Sequence, residues 1–364
     1  MSEVRSVSTL GSSYKTAPLG ILARLRSGDG ISSSFFSKDN SLSVPVYGAN
    51  GPIGSTSLEP NIRSESILIG RVGACGEINM TPANAFASDN ALVVDIDDRV
   101  HMRWMYYVLL SPKLSELSTS SAQPLITASK ARQVRIPYPP LETQQRIADY
   151  LDRETAEIDA AVADLDKYVE LLNVKLESAS REVFTELSAN HPLIQTKFLV
   201  DITTGSGDTQ DSQENGGFPF YVRSDTIQRA EDFEFDCEAV LTSGDGAGVG
   251  KIFHLAGGKF KAHQRVYVMH NFKRVSPQYF YWMFKSAFPD AIRYGGAKST
   301  VDSVRRPMIA NLKIPVPDHD AQEKASKRIE KLHHEVSTLI AKSTKLRDLL
   351  LKRRSVLITE VVTG

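Results

Sequence analysis

Two stretches of the chain carry the same hydrophobic rhythm. Leu151, Ile158, Val162, Leu165, Val169, Leu172, Leu176, Ala179 and Val183 recur mostly at alternating steps of three and four, the spacing of a coiled-coil seam. Ile329, Leu332, Val336, Leu339, Leu346, Leu350 and Leu357 repeat it, with Ser343 and Arg353 falling on that second seam. No Gly or Pro lies between Glu142 and Leu187 or between Asp320 and Thr363. Each stretch is therefore expected to form one unbroken helix of roughly 40 residues, about 60 Å long at 1.5 Å per residue. A heptad stripe of that length cannot bury itself, and the nearest partner for each helix is the other one.

Both helices follow a proline-interrupted extended segment, since proline fixes its own backbone and keeps the residue before it out of the helical region. The first reads Ile136-Pro-Tyr-Pro-Pro-Leu-Glu-Thr-Gln-Gln-Arg-Ile and the second Ile314-Pro-Val-Pro-Asp-His-Asp-Ala-Gln-Glu-Lys-Ala. The duplication reaches further back. Leu25-Arg-Ser-Gly-Asp-Gly matches Ile202-Thr-Thr-Gly-Ser-Gly, Pro45-Val-Tyr matches Pro219-Phe-Tyr, and Trp104-Met-Tyr-Tyr matches Tyr279-Phe-Tyr-Trp. Within each copy, short apolar runs bounded by turn residues predict strands, at Ser66–Gly70 and Asn90–Ile96 in the first and at Ala239–Thr242 and Gln264–Met269 in the second. Aromatic-rich segments at Arg103–Leu110 and Gln278–Lys285 are expected to be short helices lying on those sheets. The expected fold class is α+β: two mixed α/β domains related by a pseudo-twofold axis and joined by two long helices in an antiparallel coiled coil. The corresponding segments are residues 1–140, the helix 141–190, residues 191–317 and the helix 318–364.

Charge supports the pairing. Leu141–Asn190 has 12 acidic and 5 basic residues, whereas Asp318–Gly364 has 7 acidic and 10 basic, so the helices attract each other and each would repel its own duplicate. The whole chain of 364 residues balances 43 basic against 43 acidic side chains. Binding to nucleic acid would therefore have to come from local patches rather than from an overall basic field. Cys75 and Cys237 are isolated from each other and from His, so neither zinc nor a disulfide framework is suggested. The amino-terminal residues lack the apolar core of a signal peptide, and no run is long enough to span a membrane. A reducing cytoplasm is the default expectation.

Catalytic patterns are lacking. Gly244-Asp-Gly-Ala-Gly-Val-Gly-Lys is glycine-rich without phosphate-loop spacing, and with Gly70-Arg-Val-Gly-Ala-Cys-Gly-Glu it reads as a tight turn between strands. Tyr138-Pro-Pro lacks the preceding acidic or amide residue of an amino-methyltransferase loop. Polar residues in and around the glycine-rich loops offer more. Tyr47, Asn50, Arg71, Lys130 and Arg132 in the first copy, and Tyr221, Arg223, Lys251, Lys261, Arg265, Arg293, Lys298, Arg305 and Arg306 in the second, are the candidates for a DNA-facing surface. Lys and Arg reach phosphates and guanine edges, while Asn bonds adenine.

The pattern Ile-Pro-x-Pro-Pro-Leu-x-x-Gln-Gln-x-Ile-Ala-x-x-Leu-Asp at Ile136–Asp152, followed by a long helix and then by a repeat of the whole unit, resembles the specificity subunit of type I restriction-modification enzymes. Tyr47-Gly-Ala-Asn-Gly-Pro-Ile-Gly and Ile67-Leu-Ile-Gly-Arg-Val-Gly are similar to segments of that family's target recognition domains. The second helix start departs from the pattern, with Asp318-His-Asp in place of Pro-Leu-Glu. The resemblance implies a non-catalytic subunit with two recognition domains, each reading one half of a bipartite site in double-stranded DNA, and with paired helices that set the spacer. Two methyltransferase subunits would dock on it, with Pro139, Pro140, Leu141, Gln144, Gln145, Pro317 and Gln322 as docking candidates, and restriction subunits could join. S-adenosylmethionine, ATP and magnesium would belong to those partners, with no cofactor on this chain. The rival reading is a coiled-coil scaffold presenting two protein-binding domains. It accounts less well for the positive surplus and glycine-rich loops of both globular segments, and salt-sensitive DNA binding would separate the two.

Overall fold

The computed structural model describes residues 14–39, 42–111, 125–294 and 303–363. The chain forms two compact units, Met1–Asp166 with Lys345–Gly364, and Lys167–Thr344.

The first unit is built on a four-stranded antiparallel sheet in the order Ala23–Ser27, Ala91–Ile96, Ser66–Gly70, Ile78–Thr81. A second sheet orders Phe36–Ser37, Gly51–Thr56, Val44–Gly48 and Phe86–Ala87, the last pair being parallel. The helix Met102–Leu110 buries Trp104, Met105, Tyr107, Val108 and Leu109. The proline segment pairs its strand Arg135–Pro137 with Thr16–Pro18, which places Ile136 in the same core. The long helices close that core: Ile147, Ala148, Tyr150 and Leu151 come from the first, and Ile358, Val361 and Val362 from the second.

The second unit repeats the plan. Its main sheet is Asp201–Thr204, Val266–His270, Ala239–Ser243, Phe253–Ala256, and its second sheet is Gln228–Ala230, Phe218–Tyr221, Lys259–Ala262, Phe235–Asp236. Lys313–Pro315 pairs with Leu193–Gln195. The aromatic helix outruns the expected Gln278–Lys285 and spans Pro277–Tyr294, with Pro289 inside it. Proline removes one helical N–H, but Phe280, Phe284 and Phe288 stack along one face with centroids 5.6 and 4.6 Å apart and hold the helix onto the core that includes Val183, Ala325 and Ile329.

Each long helix exceeds the length its seam suggested, at 50 residues for Leu141–Asn190 and 45 for His319–Thr363, or about 75 and 68 Å along the axis. The first stops only where Pro192 follows. Its seam lies as the spacing indicates, with Leu151, Ile158, Leu172 and Val183 buried and the seam positions between them half-buried. The second seam changes phase after Val336. Ile340, Ser343, Arg347, Leu350 and Arg354 turn inward, whereas Leu339 and Leu346 are 40% and 49% exposed and Arg353 is exposed. Two successive steps of four, Leu332 to Val336 to Ile340, rotate the stripe away from the strict heptad, and the arginine stems supply apolar cover.

The helices pair antiparallel. Within the first unit Arg354 bonds Asp159 at 2.8 Å and Arg347 bonds Asp166 at 3.2 Å, so advancing along one helix means retreating along the other. Within the second unit Arg328 bonds Glu186 at 3.1 Å. The basic partner comes from the second helix in every case, as the charge segregation between the stretches requires.

Candidate nucleic-acid interface

Three backbone hydrogen bonds and one bridge at the ends of the central strands recur in both units. In the first unit the N–H of Arg71 donates to the Asn90 carbonyl, that of Ile126 to Arg71 and that of Ser88 to Tyr47. In the second, Gly244 donates to Arg265, Val304 to Gly244 and His263 to Tyr221. Val72 bridges to Leu125 as Asp245 bridges to Ser303. The framework thus equates Arg71 with Gly244, Val72 with Asp245, Ala49 with Arg223 and Asn90 with Arg265.

The side chains on that framework differ. In the second unit Asp245 accepts from Arg223 through one oxygen and from Arg265 through the other, each at 2.9 Å. Two of the loop's glycines lie where the turns bearing the arginines pass against it. A Cβ on Gly244 would lie 2.8 Å from the Arg265 carbonyl, and one on Gly248 would lie 2.8 Å from that of Arg223. Beside this cluster, burial first and the charge of Arg223 second hold the His263 imidazole below its usual range. In the first unit the equivalent places carry Val72, Ala49 and Asn90, with no charge among them. Nearby, Asn50 is exposed at the tip of the hairpin Val44–Thr56, and half-buried Tyr47 packs on the core beneath it.

Several candidates are committed to the fold. Arg132 donates to the Leu25 carbonyl at 2.6 Å, and Arg306 donates to the equivalent Ile202 carbonyl at 3.0 Å from one helical turn earlier. Tyr221 is buried edge-on against Phe260, and burial raises its phenol above the ordinary range. Lys261 is clamped between Asp232 at 2.7 Å and Asp211 at 3.2 Å with only 12% of its side chain exposed. Tyr221 and Lys261 thus face mostly away from solvent, whereas Arg132 and Arg306 stay exposed while each bonds a backbone carbonyl. Arg71 reaches Ser27 at 3.3 Å, and Arg293 lies 3.6 Å from Asp290 on its own helix. Lys130, Lys251 and Arg305 are exposed. Lys298 lies outside the described residues.

The helix starts sort in the same way. Gln144 is fully buried, accepting from the His101 N–H at 2.8 Å and donating to the Pro139 carbonyl at 2.8 Å. Gln322 accepts from the Ser276 N–H at 3.0 Å and donates to the carbonyls of Arg274 and Pro317. Both amides hold the turn before an aromatic helix and face inward, and Pro139 and Pro317 are buried with them. Pro140, Leu141 and Gln145 are the exposed members of the set, Gln145 bonding Asp149 at 3.0 Å. Asp318 caps the second helix by accepting from the Ala321 N–H at 2.8 Å, which gives its departure from the first pattern a local reason.

Asp245 was missed among the candidates because it sat inside a turn motif, and nothing periodic links it to arginines 22 and 20 residues away. Among the described residues no group of His, Cys, Asp and Glu could hold a metal ion, and no helix is long and apolar enough to cross a membrane.

Known proteins share both the sequence pattern and the fold. The specificity subunit of the Escherichia coli type I restriction enzyme EcoprrI is 30% identical over 142 residues, 38% of this chain and 35% of that protein. The specificity subunit of E. coli EcoDI is 24% identical over 166 residues, 46% of this chain and 36% of that protein. Each match thus spans about a third of the relative's length. A chain from a solved structure concerned with complex assembly and conformational transition of the type I R-M system shares the fold, with a TM-score of 0.72, 14% identity and 98% of each chain covered. The type I restriction modification DNA specificity domain matches twice, at residues 12–163 and 197–346, and the chain therefore belongs to that family.

Proposed function

We propose that this chain is the non-catalytic DNA-specificity subunit of a type I restriction-modification complex, in which the globular parts, residues 1–140 and 191–317, each read one half of a split site in double-stranded DNA. The observation that carries this reading is one backbone framework present twice with unlike side chains on its loops, charged at Arg223, Asp245 and Arg265 and neutral at Ala49, Val72 and Asn90. Such a pair can hold two different short sequences in equivalent poses. The paired helices act as the spacer, and exposed Pro140, Leu141 and Gln145 at the start of the first belong to the surface that meets methyltransferase subunits in the cytoplasm. The chemistry, with its methyl donor, nucleotide and magnesium, resides in those partners.

The test is a map of methylated adenines in the host genome with and without the gene. The expected result is loss of methylation at one motif made of two short halves separated by a fixed gap. Unchanged methylation, in a strain where the chain copurifies with a methyltransferase, would refute the reading. The same map made with four residues inserted between Leu165 and Leu176, roughly 6 Å of added helix, should show the gap lengthened by about one or two base pairs at ~3.4 Å each.

A further inference from the structure

We infer that Arg223 and Arg265, held on the two oxygens of Asp245, are the guanine-reading side chains of the second unit and set the base preference of its half-site. The inference rests on the proposed DNA-specificity role and adds to it a named set of residues and a class of base.

Exposure is the first argument. Asp245 keeps 18% of its side chain exposed, while Arg223 and Arg265 keep 46% and 62%, so the carboxylate lies beneath and the guanidiniums lie outside it. Exposed ion pairs of this kind add little to stability, and the fold has no need of a second arginine on one carboxylate. Geometry is the second. Each arginine gives only its Nη1 to Asp245, and neither guanidinium makes another hydrogen bond among the described residues. The remaining N–H fork of each is the donor pair that matches O6 and N7 of guanine in the major groove. Anchoring through the carboxylate removes rotamer freedom before binding, so less ordering is required when DNA arrives.

A phosphate contact is the competing use of exposed arginines, and Asp245 argues against it. A carboxylate within hydrogen-bond distance halves the positive charge of the cluster and repels a phosphate approaching the same guanidiniums. A guanine edge is uncharged and bears acceptors, so it escapes that repulsion. Cytosine, the base whose exocyclic amine a carboxylate accepts, is disfavoured because Asp245 lies beneath the two arginines with 18% of its side chain exposed. The backbone is shaped for this cluster too, since Gly244 and Gly248 admit the arginine-bearing turns. The equivalent framework in the first unit carries Ala49, Val72 and Asn90, so the cluster is dispensable to the fold and particular to one copy.

The test uses the full chain coexpressed with its methyltransferase subunits in a host free of adenine methylation, with a randomised plasmid library as substrate. The unmodified chain should methylate one split motif. Arg265→Ala and Arg223→Ala should each relax a guanine preference at one position of a single half-motif by roughly 5- to 150-fold, leaving the other half and the gap unchanged. Asp245→Asn keeps the shape and removes the anchoring charge, so it should relax the same positions by less. An Arg variant that methylates all sequences more weakly with unchanged base preference, and with a shallower salt dependence of binding, would mark a phosphate contact and overturn the inference. Unaltered preference in both arginine variants would overturn it as well. Lys261→Ala serves as the folding control: loss of methylation there, with the arginine variants retaining both halves of the motif, separates collapse of the unit from loss of readout. Absence of any split motif with the unmodified chain would instead refute the specificity role itself, and the inference with it.

Discussion

The first unit fastens its aromatic helix to the long helix by an arginine–carboxylate ion pair, and the second by an amide–carboxylate bond and an aromatic contact at the same places. In the first, Arg103 bonds Asp152 at 3.1 Å through Nε, and Tyr107 donates to that carboxylate at 2.6 Å while meeting the Thr155 hydroxyl at 3.0 Å. In the second, Gln278 donates to Glu330, and Trp282 lies 5.3 Å from the His333 ring. What both keep is the buried amide of Gln144 or Gln322 and the guanidinium on the first-strand carbonyl. The difference teaches where a duplicated domain can drift. Contacts that satisfy buried backbone groups persist, because an unpaired group is costly, whereas partly exposed contacts change their chemistry while keeping their geometry.

The sharpest way to break that comparison is in the cores. Leu151 and Ile329 hold equivalent, almost fully buried positions, and replacing either with Ala should cost its own unit about 2–5 kcal/mol. The transition of each unit, followed separately by hydrogen exchange in increasing denaturant, should show comparable losses. A loss in only one unit would mean that the two cores are not equivalent. Next come the amides. Gln144→Leu and Gln322→Leu each strand a buried N–H, at His101 and Ser276, and should cost about 1–3 kcal/mol. Gln322 makes three bonds to Gln144's two, so its loss should be the larger in thermal melts.

The smallest effect separates the units by pH. Burial opposes ionisation of Asp152, but the bonds from Arg103 and Tyr107 outweigh it and hold the carboxyl below its ordinary value of 3.8. A depressed carboxylate adds stability above its unfolded value, and that stability is lost as pH falls through the folded one. Arg103→Ala should therefore cost the first unit about 1 kcal/mol at neutral pH, after allowance for the exposure of both groups, and the deficit should vanish in melts taken well below pH 3.8. A deficit that persisted in acid would assign the loss to packing of the arginine stem.

Much of this architecture could be read from residue order. Ser66–Gly70 and Ala239–Ser243 are continuous apolar runs, and they are the central strands. The first seam is visible because its inward positions are mostly aliphatic, Thr155 being the polar member. The second becomes hard to follow where Arg347 and Arg354 turn inward, since their charged ends mark them as surface residues while their stems pack. The hairpin Val44–Thr56 escaped notice because Pro45, Gly48, Gly51, Pro52 and Gly54 interrupt it, and such residues ordinarily signal loops. For the candidate site, residue type marked Arg223, Arg265, Arg132 and Arg306 alike. Whether an arginine meets a carboxylate, as Arg223 and Arg265 do, or a carbonyl about a hundred residues away, as Arg132 and Arg306 do, depends on strand register, which local composition does not encode.

The antiparallel pairing has a consequence for synthesis. Ile358, Val361 and Val362 belong to the core of the first unit, yet they leave the ribosome after the whole of the second unit. Until then the apolar faces of Ile147 and Leu151 lack their cover, so the part made first is completed last. A chain halted just after Thr344 would carry a second unit with all its parts and a first unit with an open core, a species expected to aggregate or to be degraded. Completion of the first core thus waits on the last residues of the chain, and a chain that ends early leaves that core open.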